Sequence, residues 1–573
     1  MALSNSEIAD LFDQLAEILD IEGENPFRVR AYHNAARTIR TQPRSLAEMV
    51  AFKEDLTQLP GIGQAIAEKI KTIVQTGHLP QLEQALKRVP KSLVELLKVE
   101  GLGPKRVKTL FSLLKIKNLE DLDRAARGGK IRELPGFGPK TEELILKHLQ
   151  RRLPQEKRFL RFEAESIAEA LLTRLRGCDG IDQIVVAGSF RRWKETIGDL
   201  DILVTVRNGE EVMRRFLAYE GIEEILSHGP TRSSVRLQNG LQVDLRVVAA
   251  ESFGAALQYF TGSKAHNIEL RTLALRHGLK INEYGVFRGE QRIAGASEEE
   301  VYACLGLPWI VPELREGRGE IQAGLENRLP KLVELADIKG DLHCHTRETD
   351  GQDTLEEMAK MAKAMGYEYL AITDHSKRLT VAKGLDEKRL RQQMEQIEAL
   401  NAKLKGITLL KGIEVDILED GSLDLPDRVL KDLDLTVCSV HHKFHLSEKK
   451  QTERILRAMD NPYFRILAHP TGRLINQREP YEIDLERIMQ AAKERGRILE
   501  INSQPERLDL NDEQCMLARD LGVKLVISTD AHSAIGLGLM RYGVAQARRG
   551  WLTAENILNT RPLSELKAWL KQA

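Results

Sequence analysis

Asp199 and Asp201 stand two residues apart in Gly198-Asp199-Leu200-Asp201-Ile202-Leu203-Val204, and residues at that spacing share one face of a strand. Their carboxylates point together while Leu200, Ile202 and Val204 face a core. A third carboxylate, Asp244, lies in Leu241-Gln242-Val243-Asp244-Leu245-Arg246-Val247, where alternation puts Gln242, Asp244 and Arg246 on one polar face. Such a group suits magnesium, a hard cation that prefers oxygen ligands. Two ions about 4 Å apart can activate an attacking hydroxyl and stabilise a leaving pyrophosphate. Upstream, Gly188 and Ser189 offer a backbone turn and a hydroxyl at a helix start, and Arg192 offers a guanidinium fork for phosphate oxygens. The implied chemistry is nucleotidyl transfer.

A second set is rich in nitrogen. Of the 14 histidines, eight follow Lys339. His343 and His345, Asp374-His375, Glu414, His441, His469 and Asp530-Ala531-His532 each come directly after a short apolar run, and Asp350 follows in the loop after the first. Parallel β/α folds gather functional groups at the C-terminal ends of their strands, so ligands distant in sequence converge there. Mixed imidazole and carboxylate suits zinc, manganese or iron, and a polynuclear site can present hydroxide to a phosphodiester. Hydrolysis is the natural reaction. Neighbouring residues point apart on a strand, which leaves His442 and His445 around the cluster or on the surface.

The elements that position these groups are of three kinds. The first 150 residues are helical in pattern and repeat the form apolar-x-Gly-apolar-Gly at Gly61/Gly63, Gly101/Gly103 and Gly136/Gly138. Each copy precedes a helix-like stretch, the signature of helix-hairpin-helix units, whose backbone N–H groups can grip phosphate without reading bases. From Arg151 to Pro312 helices mix with short β-branched strands, an α+β pattern, and a proline- and charge-rich passage then resembles an interdomain connection. Beyond it seven apolar runs, near 338–342, 369–373, 408–413, 434–440, 464–468, 498–502 and 524–528, alternate with helical patterns. They predict parallel strands in a seven-stranded barrel. A helix is expected from an N-cap at Asp353 or Thr354 to Gly366.

A net charge of zero gives no global case for a nucleic-acid partner, so any DNA grip must be local. The apolar runs are too short for a membrane span and the N-terminus carries no export pattern, which makes the cytoplasm, beside nucleoid DNA, the expected location. Five scattered cysteines form no disulfide framework.

Val186-Ala187-Gly188-Ser189-Phe190-Arg191-Arg192 through Asp201, together with Tyr259-Phe260-Thr261-Gly262-Ser263, resembles the signature of the family X DNA polymerases. Asp341-Leu342-His343-Cys344-His345, Thr373-Asp374-His375, His469-Pro470 and Asp530-Ala531-His532 resemble the PHP phosphoesterases. Together they imply a multidomain bacterial enzyme. Its all-α helix-hairpin-helix region divides into a lyase-like domain (1–89) and a DNA-binding subdomain (90–150). An α+β nucleotidyltransferase palm (151–257) and thumb (258–312) follow, then a linker (313–337) and an α/β (βα)7 PHP barrel (338–573). By resemblance, Asp199, Asp201 and Asp244 hold magnesium, and Gly188, Ser189, Arg192, Gly198, Tyr259, Phe260, Gly262, Ser263, Lys264 and Asn267 contact the nucleotide. Arg246, Arg271 and the hairpin glycines contact DNA, with a monovalent cation at the hairpins. His343, His345, Asp350, His375, Glu414, His441, His469, Asp530 and His532 hold up to three manganese or zinc ions.

The resemblance implies a gap-filling repair polymerase, monomeric, using gapped or nicked DNA and deoxynucleoside triphosphates. It carries a metal-dependent 3′–5′ exonuclease, with abasic-site or 3′-end cleavage as a related activity. Lys264 departs from the eukaryotic repair enzyme, which has an acidic residue there, and its ammonium is expected to favour nucleotide binding before metal arrives. Lys69, on the helix after the first hairpin, matches the family's Schiff-base lysine for 5′-deoxyribose-phosphate lyase chemistry. Three other readings stay open at this level: transfer to RNA or a small molecule, a DNA-tethered nuclease with a vestigial transferase, and a small-molecule phosphatase.

Overall fold

Ile66, Ala67, Ile70 and Ile73 recur at helical spacing after Gly63, and all four are buried on one face of the helix Gln64–Thr76, which starts from Gly63 as N-cap and stops at left-handed Gly77. The same construction gives Pro104–Leu114 from Gly103 and Pro139–Gln150 after Gly138. The computed structural model describes residues 5–40, 46–59, 61–90, 93–97, 99, 102–150 and 158–572. Gly101 lies outside them. The chain divides into two compact units, Met1–Lys157 and Arg158–Ala573. Within the first, the described elements are all helical, and they enclose a core that includes Phe12, Leu15, Tyr32, Ile70 and Leu110.

In the second unit a five-stranded sheet has the order Ile181–Val186, Asp199–Val206, Gln242–Val247, Arg232–Leu237, Ile222–His228. The strand Asp199–Val206 runs parallel to Gln242–Val247, and the other pairings are antiparallel. Leu200, Ile202 and Val204 are fully buried and pack with the helices Arg161–Arg176 and Gly209–Leu217 in one core. The helices Phe253–Thr261 and Lys264–Arg276, a small antiparallel sheet over 280–294 and the helix Glu298–Ala303 follow.

All seven apolar runs of the C-terminal region hold strands, and all pair in parallel. The ladders do not form one continuous seven-stranded sheet. They make a three-stranded sheet (Gly340–Asp341, Tyr369–Ile372, Thr408–Lys411) and a five-stranded one (Glu414–Asp416, Val437–Ser439, Ile466–Leu467, Ile498–Asn502, Leu525–Ser528). The third run breaks at Gly412, where a Cβ would lie 2.7 Å from the Thr373 side chain and 2.9 Å from the Ile372 carbonyl. Isolated parallel bridges His375–Glu414 and Cys344–Ala531 join the sheet edges. The expected helix spans Leu355–Ala364, with Thr354 and Glu357 forming a capping box and Gly366 at positive φ beyond it.

The passage read as a linker is instead packed. Arg315 is fully buried on Glu298 (2.6 Å), Glu320 is fully buried on His266 (2.7 Å), and Glu313 pairs with Arg548 (2.7 Å). Its glycines and charges look like a loop in sequence because the partners that bury Arg315, Glu320 and Glu313 lie outside the passage. The palm-like and C-terminal regions also meet directly. Leu160 clusters with Ile475, Leu508 and Tyr542, and Glu195 takes both Arg473 nitrogens at 2.6 and 3.1 Å.

Candidate functional site

Strand register makes Asp201 the direct partner of Asp244, with Asp199 opposite Gln242. Burial, reinforced by the Asp199 and Asp244 charges, pushes the Asp201 carboxyl up to about 7. Gly188 makes room for it: its φ is +63°, and a Cβ there would lie 2.8 Å from Asp201 Oδ2. Ser234 Oγ donates to Asp244 Oδ1, and Gln242 Nε2 donates to the other oxygen at 3.3 Å. Three crowded acid groups with this much mutual repulsion fit a divalent cation.

Beside them, Gly188, Ser189 and Arg191 share the single helical turn Gly188–Arg191, with Arg192 as its cap. Arg192 Nη1 donates to the Thr261 carbonyl at 2.5 Å and Nε to Glu316 at 3.0 Å. Gly262, at φ +69°, passes close to that guanidinium: a Cβ would sit 3.2 Å from Nη1. Ser263 caps the next helix through the His266 N–H (3.2 Å). Asn267 donates to the Tyr259 carbonyl (2.7 Å) and accepts from Gln258 (2.7 Å). Arg246 lies over the Phe260 ring at 4.3 Å and its Nε is buried without an acceptor. Arg271 donates to the Asn267 carbonyl (3.1 Å) near Tyr259, and Lys264 is exposed on the first turn of its helix. Gly198 sits in the turn before Asp199, 3.5 Å in Cβ terms from Arg158.

Sequence reasoning missed the group that ties this turn to the thumb-like part. Arg191 and Arg315 both fork onto Glu298 at 2.6–3.1 Å. Burial alone would raise the Glu298 carboxyl, but the two guanidiniums bring it down to about 2. No local pattern marks it, since Arg191 is 107 residues from Glu298 and Arg315 is 17 residues beyond it.

In the C-terminal region the nine predicted ligands converge. Glu414 is central: one or other oxygen lies 2.7 Å from His375, 3.2 Å from His441 and His469, 3.5 Å from His343 and 3.7 Å from His345. Asp530 is 3.0 Å from His345 and 3.5 Å from His343, while Asp350 is 3.4 Å from His375 and 3.5 Å from His532. Three groups have donor atoms close enough for one ion each: His345/Asp350/His375/His532, His343/His345/Asp530 and His375/Glu414/His441. His343 Nε2 and His345 Nδ1 are buried without hydrogen-bond partners, and the 2.7 Å approach of His375 Nδ1 to Glu414 Oε2 lacks hydrogen-bond geometry. Orphaned donors on this scale fit metal coordination. Burial and the adjacent His375 and His532 drive His345 down to about 3, whereas, against burial, the Glu414 and Asp350 carboxylates push His375 up to about 10 and Glu414 with Asp416 pushes His441 up to about 9. His469 and Asp530 hold φ of +27° and +52°, backbone strain located at the ligands themselves.

The residues that orient these ligands were not foreseen. Glu500 accepts from His343 Nδ1 (2.7 Å) and the His469 N–H (2.8 Å), and Asp416 pairs with His441 Nδ1 (2.9 Å). A glutamate inside Ile498-Leu499-Glu500-Ile501-Asn502 was the available signal. Asp341 and Asp374 are buried outside the cluster and saturated by Thr529 and by Thr346, Thr349 and Gln393. His442 lies 3.9 Å from Asp416 and His445 is exposed.

In the N-terminal unit, Gly61 and Gly136 adopt positive φ, as the hairpin turn requires. Gly63, Gly103 and Gly138 are different: a Cβ added there meets nothing within 4 Å. Nothing inside the described residues requires glycine at these three, which leaves open backbone at helix starts for an outside ligand. Lys69 is partly buried, with Nζ on the Ala65 carbonyl at 3.1 Å.

Comparison with known proteins gives a consistent picture. The helix-hairpin-helix domain family matches residues 3–79, the SAM-like helix-hairpin-helix tandem 93–151, the DNA polymerase beta palm 158–242, the DNA polymerase beta thumb 256–316 and the PHP domain 341–504. The chain is 40% identical over the full length of both sequences to a DNA polymerase/3′–5′ exonuclease PolX of Bacillus subtilis. It is 27% identical to rat DNA polymerase lambda over 54% of this chain and 56% of that one. It is 31% identical to a probable phosphatase of Thermoanaerobacter over 40% of this chain and 94% of that one.

Proposed function

The chain belongs to the PolX family of DNA polymerase/3′–5′ exonucleases, and from that premise we propose that it fills short gaps in DNA during repair of the base-excision type, in the bacterial cytoplasm beside nucleoid DNA. Polymerisation and 3′–5′ exonucleolysis are its two activities, and both sites belong to metal-dependent families. Asp199, Asp201 and Asp244 are the magnesium ligands of the first. The observation that carries this reading is the register placing Asp201 beside Asp244, with Arg192 and Gly262 in contact one turn away. Bound there, divalent ions supply charge neutralisation at the reacting phosphate. The chain's own part is positioning. Arg192 and Ser189 hold the triphosphate, Tyr259, Phe260 and Asn267 line the sugar, and Arg271 meets the template.

For the second activity, the nine histidine, aspartate and glutamate side chains would hold manganese or zinc, which would supply Lewis-acid activation for hydrolysis of the terminal phosphodiester. Glu500 and Asp416 fix the tautomers of His343 and His441.

The hairpin glycines grip the DNA backbone on either side of a gap. In the Gly63→Ala/Gly138→Ala double variant the melting temperature should change little, since the gain of about 0.4–1 kcal/mol from a stiffer unfolded chain is offset at the Gly63 N-cap, where alanine is less favourable than glycine. Affinity for one-nucleotide-gapped duplex should nonetheless fall and the preference for gaps over open primer-template should shrink. Unchanged gap affinity by fluorescence anisotropy would remove the hairpins from the account.

Lys69 is the proposed lyase nucleophile. Borohydride is expected to trap a covalent adduct between the protein and incised abasic DNA, and Lys69→Ala to abolish it. Equal trapping in the variant would move the nucleophile elsewhere, and none in either would leave this domain a DNA clamp.

A further inference from the structure

Arg549 ends the helix Met540–Arg549 in the C-terminal region, yet its guanidinium is almost wholly buried against the palm-like part. Nη1 donates to the Arg192 carbonyl at 2.7 Å and to Glu316 Oε1 at 2.9 Å, and Nη2 donates to Asp512 at 2.5 Å. Glu316 Oε1 is the same atom that accepts from Arg192 Nε. Lys194 and Arg318 complete the surroundings, with Arg318 3.2 Å from Asp512. Four cations therefore share two buried carboxylates, and burial, which alone would raise Glu316, is overcome by Arg549, Arg192 and Lys194, which bring it to about 2.

We propose that Arg549 is a positioning residue of the nucleotidyl-transfer site, fixing Arg192 through Glu316 and through the Arg192 carbonyl. The inference rests on the reading of Arg192 as a triphosphate ligand. Arg192 spends Nε on Glu316 and Nη1 on the Thr261 carbonyl, and among the described residues no acceptor engages its Nη2. By sharing the Glu316 charge, Arg549 keeps Arg192 from being neutralised by a private carboxylate. Anchoring the Arg192 carbonyl fixes the backbone from which that guanidinium extends. Without Arg549, Glu316 competes with phosphate for Arg192, and nucleotide affinity drops.

The test uses steady-state gap filling by the full chain. Arg549→Ala is expected to raise the dNTP KM on the order of tenfold, with kcat moved much less and exonuclease retained. Arg549→Lys keeps the buried charge but loses the fork, so it guards against misfolding and should give a smaller rise in KM. Arg541→Ala, which cuts the Glu165 link from the same helix, should leave dNTP KM unchanged. Combined with Arg192→Ala, Arg549→Ala should add nothing, because both act through one group. Unchanged KM in both Arg549 variants overturns the inference, as does an equal effect of Arg541→Ala or full additivity with Arg192→Ala. If Arg192→Ala itself leaves KM unchanged, the triphosphate reading fails and the inference falls with it.

Discussion

Asp201→Ala lowers nucleotide incorporation by on the order of a thousandfold, since a metal's charge stabilisation in the transition state is worth several kcal/mol and each 1.36 kcal/mol is tenfold. The fold itself should not suffer. The Asp201 carboxyl is held at about 7 by burial and by the neighbouring Asp199 and Asp244, so the folded chain disfavours its charge and loses nothing by its removal. Melting in chelator should be equal to or above wild type, which separates lost chemistry from lost structure. Degradation of DNA 3′ ends should continue, because no histidine ligand touches this sheet. Incorporation within tenfold of wild type would refute the magnesium assignment.

His343→Ala is the converse. It removes a ligand within 3.5 Å of both Glu414 and Asp530 and should cut exonuclease rate and bound manganese or zinc by more than about a hundredfold, exceeding the loss typical of outer-sphere changes. Gap filling should persist. His343 is also fully buried on Glu500, so its loss leaves a buried carboxylate uncompensated and a lower melting temperature is expected. His532→Ala provides the milder companion, because His532 is partly exposed and its Nδ1 bonds to the Asp530 backbone carbonyl (2.9 Å) rather than closely to a buried carboxylate. Full metal occupancy with persistent digestion in both variants would mean that the cluster has been misassigned.

Much of this site was legible before any coordinates. The juxtaposition of Asp199, Asp201 and Asp244 was legible because strand alternation fixes which side chains share a face, a rule that depends only on adjacent residues. The convergence of the nine C-terminal histidine, aspartate and glutamate side chains was legible because eight of them come after the ends of apolar runs and Asp350 lies in the loop beyond the first. Glu500 and Asp416 escaped the same logic: they lie within strands, where sequence marks an interior position but not the imidazole it meets. The 313–337 passage was misread for a related reason. Proline, glycine and charge signal a loop, and only long-range pairs such as Arg315 with Glu298 and Glu320 with His266 show that those charges are buried. The seven strand-forming runs were legible, while the eighth strand and the division into two ladders were not, because both depend on how closely Gly412 approaches Thr373 and Ile372.

Two independent metal centres on one chain are the central claim, and a labelled primer bordering a one-nucleotide gap tests them together. With magnesium and the complementary nucleotide, wild type and His343→Ala should add one residue and Asp201→Ala none. With manganese and no nucleotide, wild type and Asp201→Ala should shorten the primer while His343→Ala leaves it intact. A variant that loses both activities while remaining folded, or either variant that keeps both, would contradict the account.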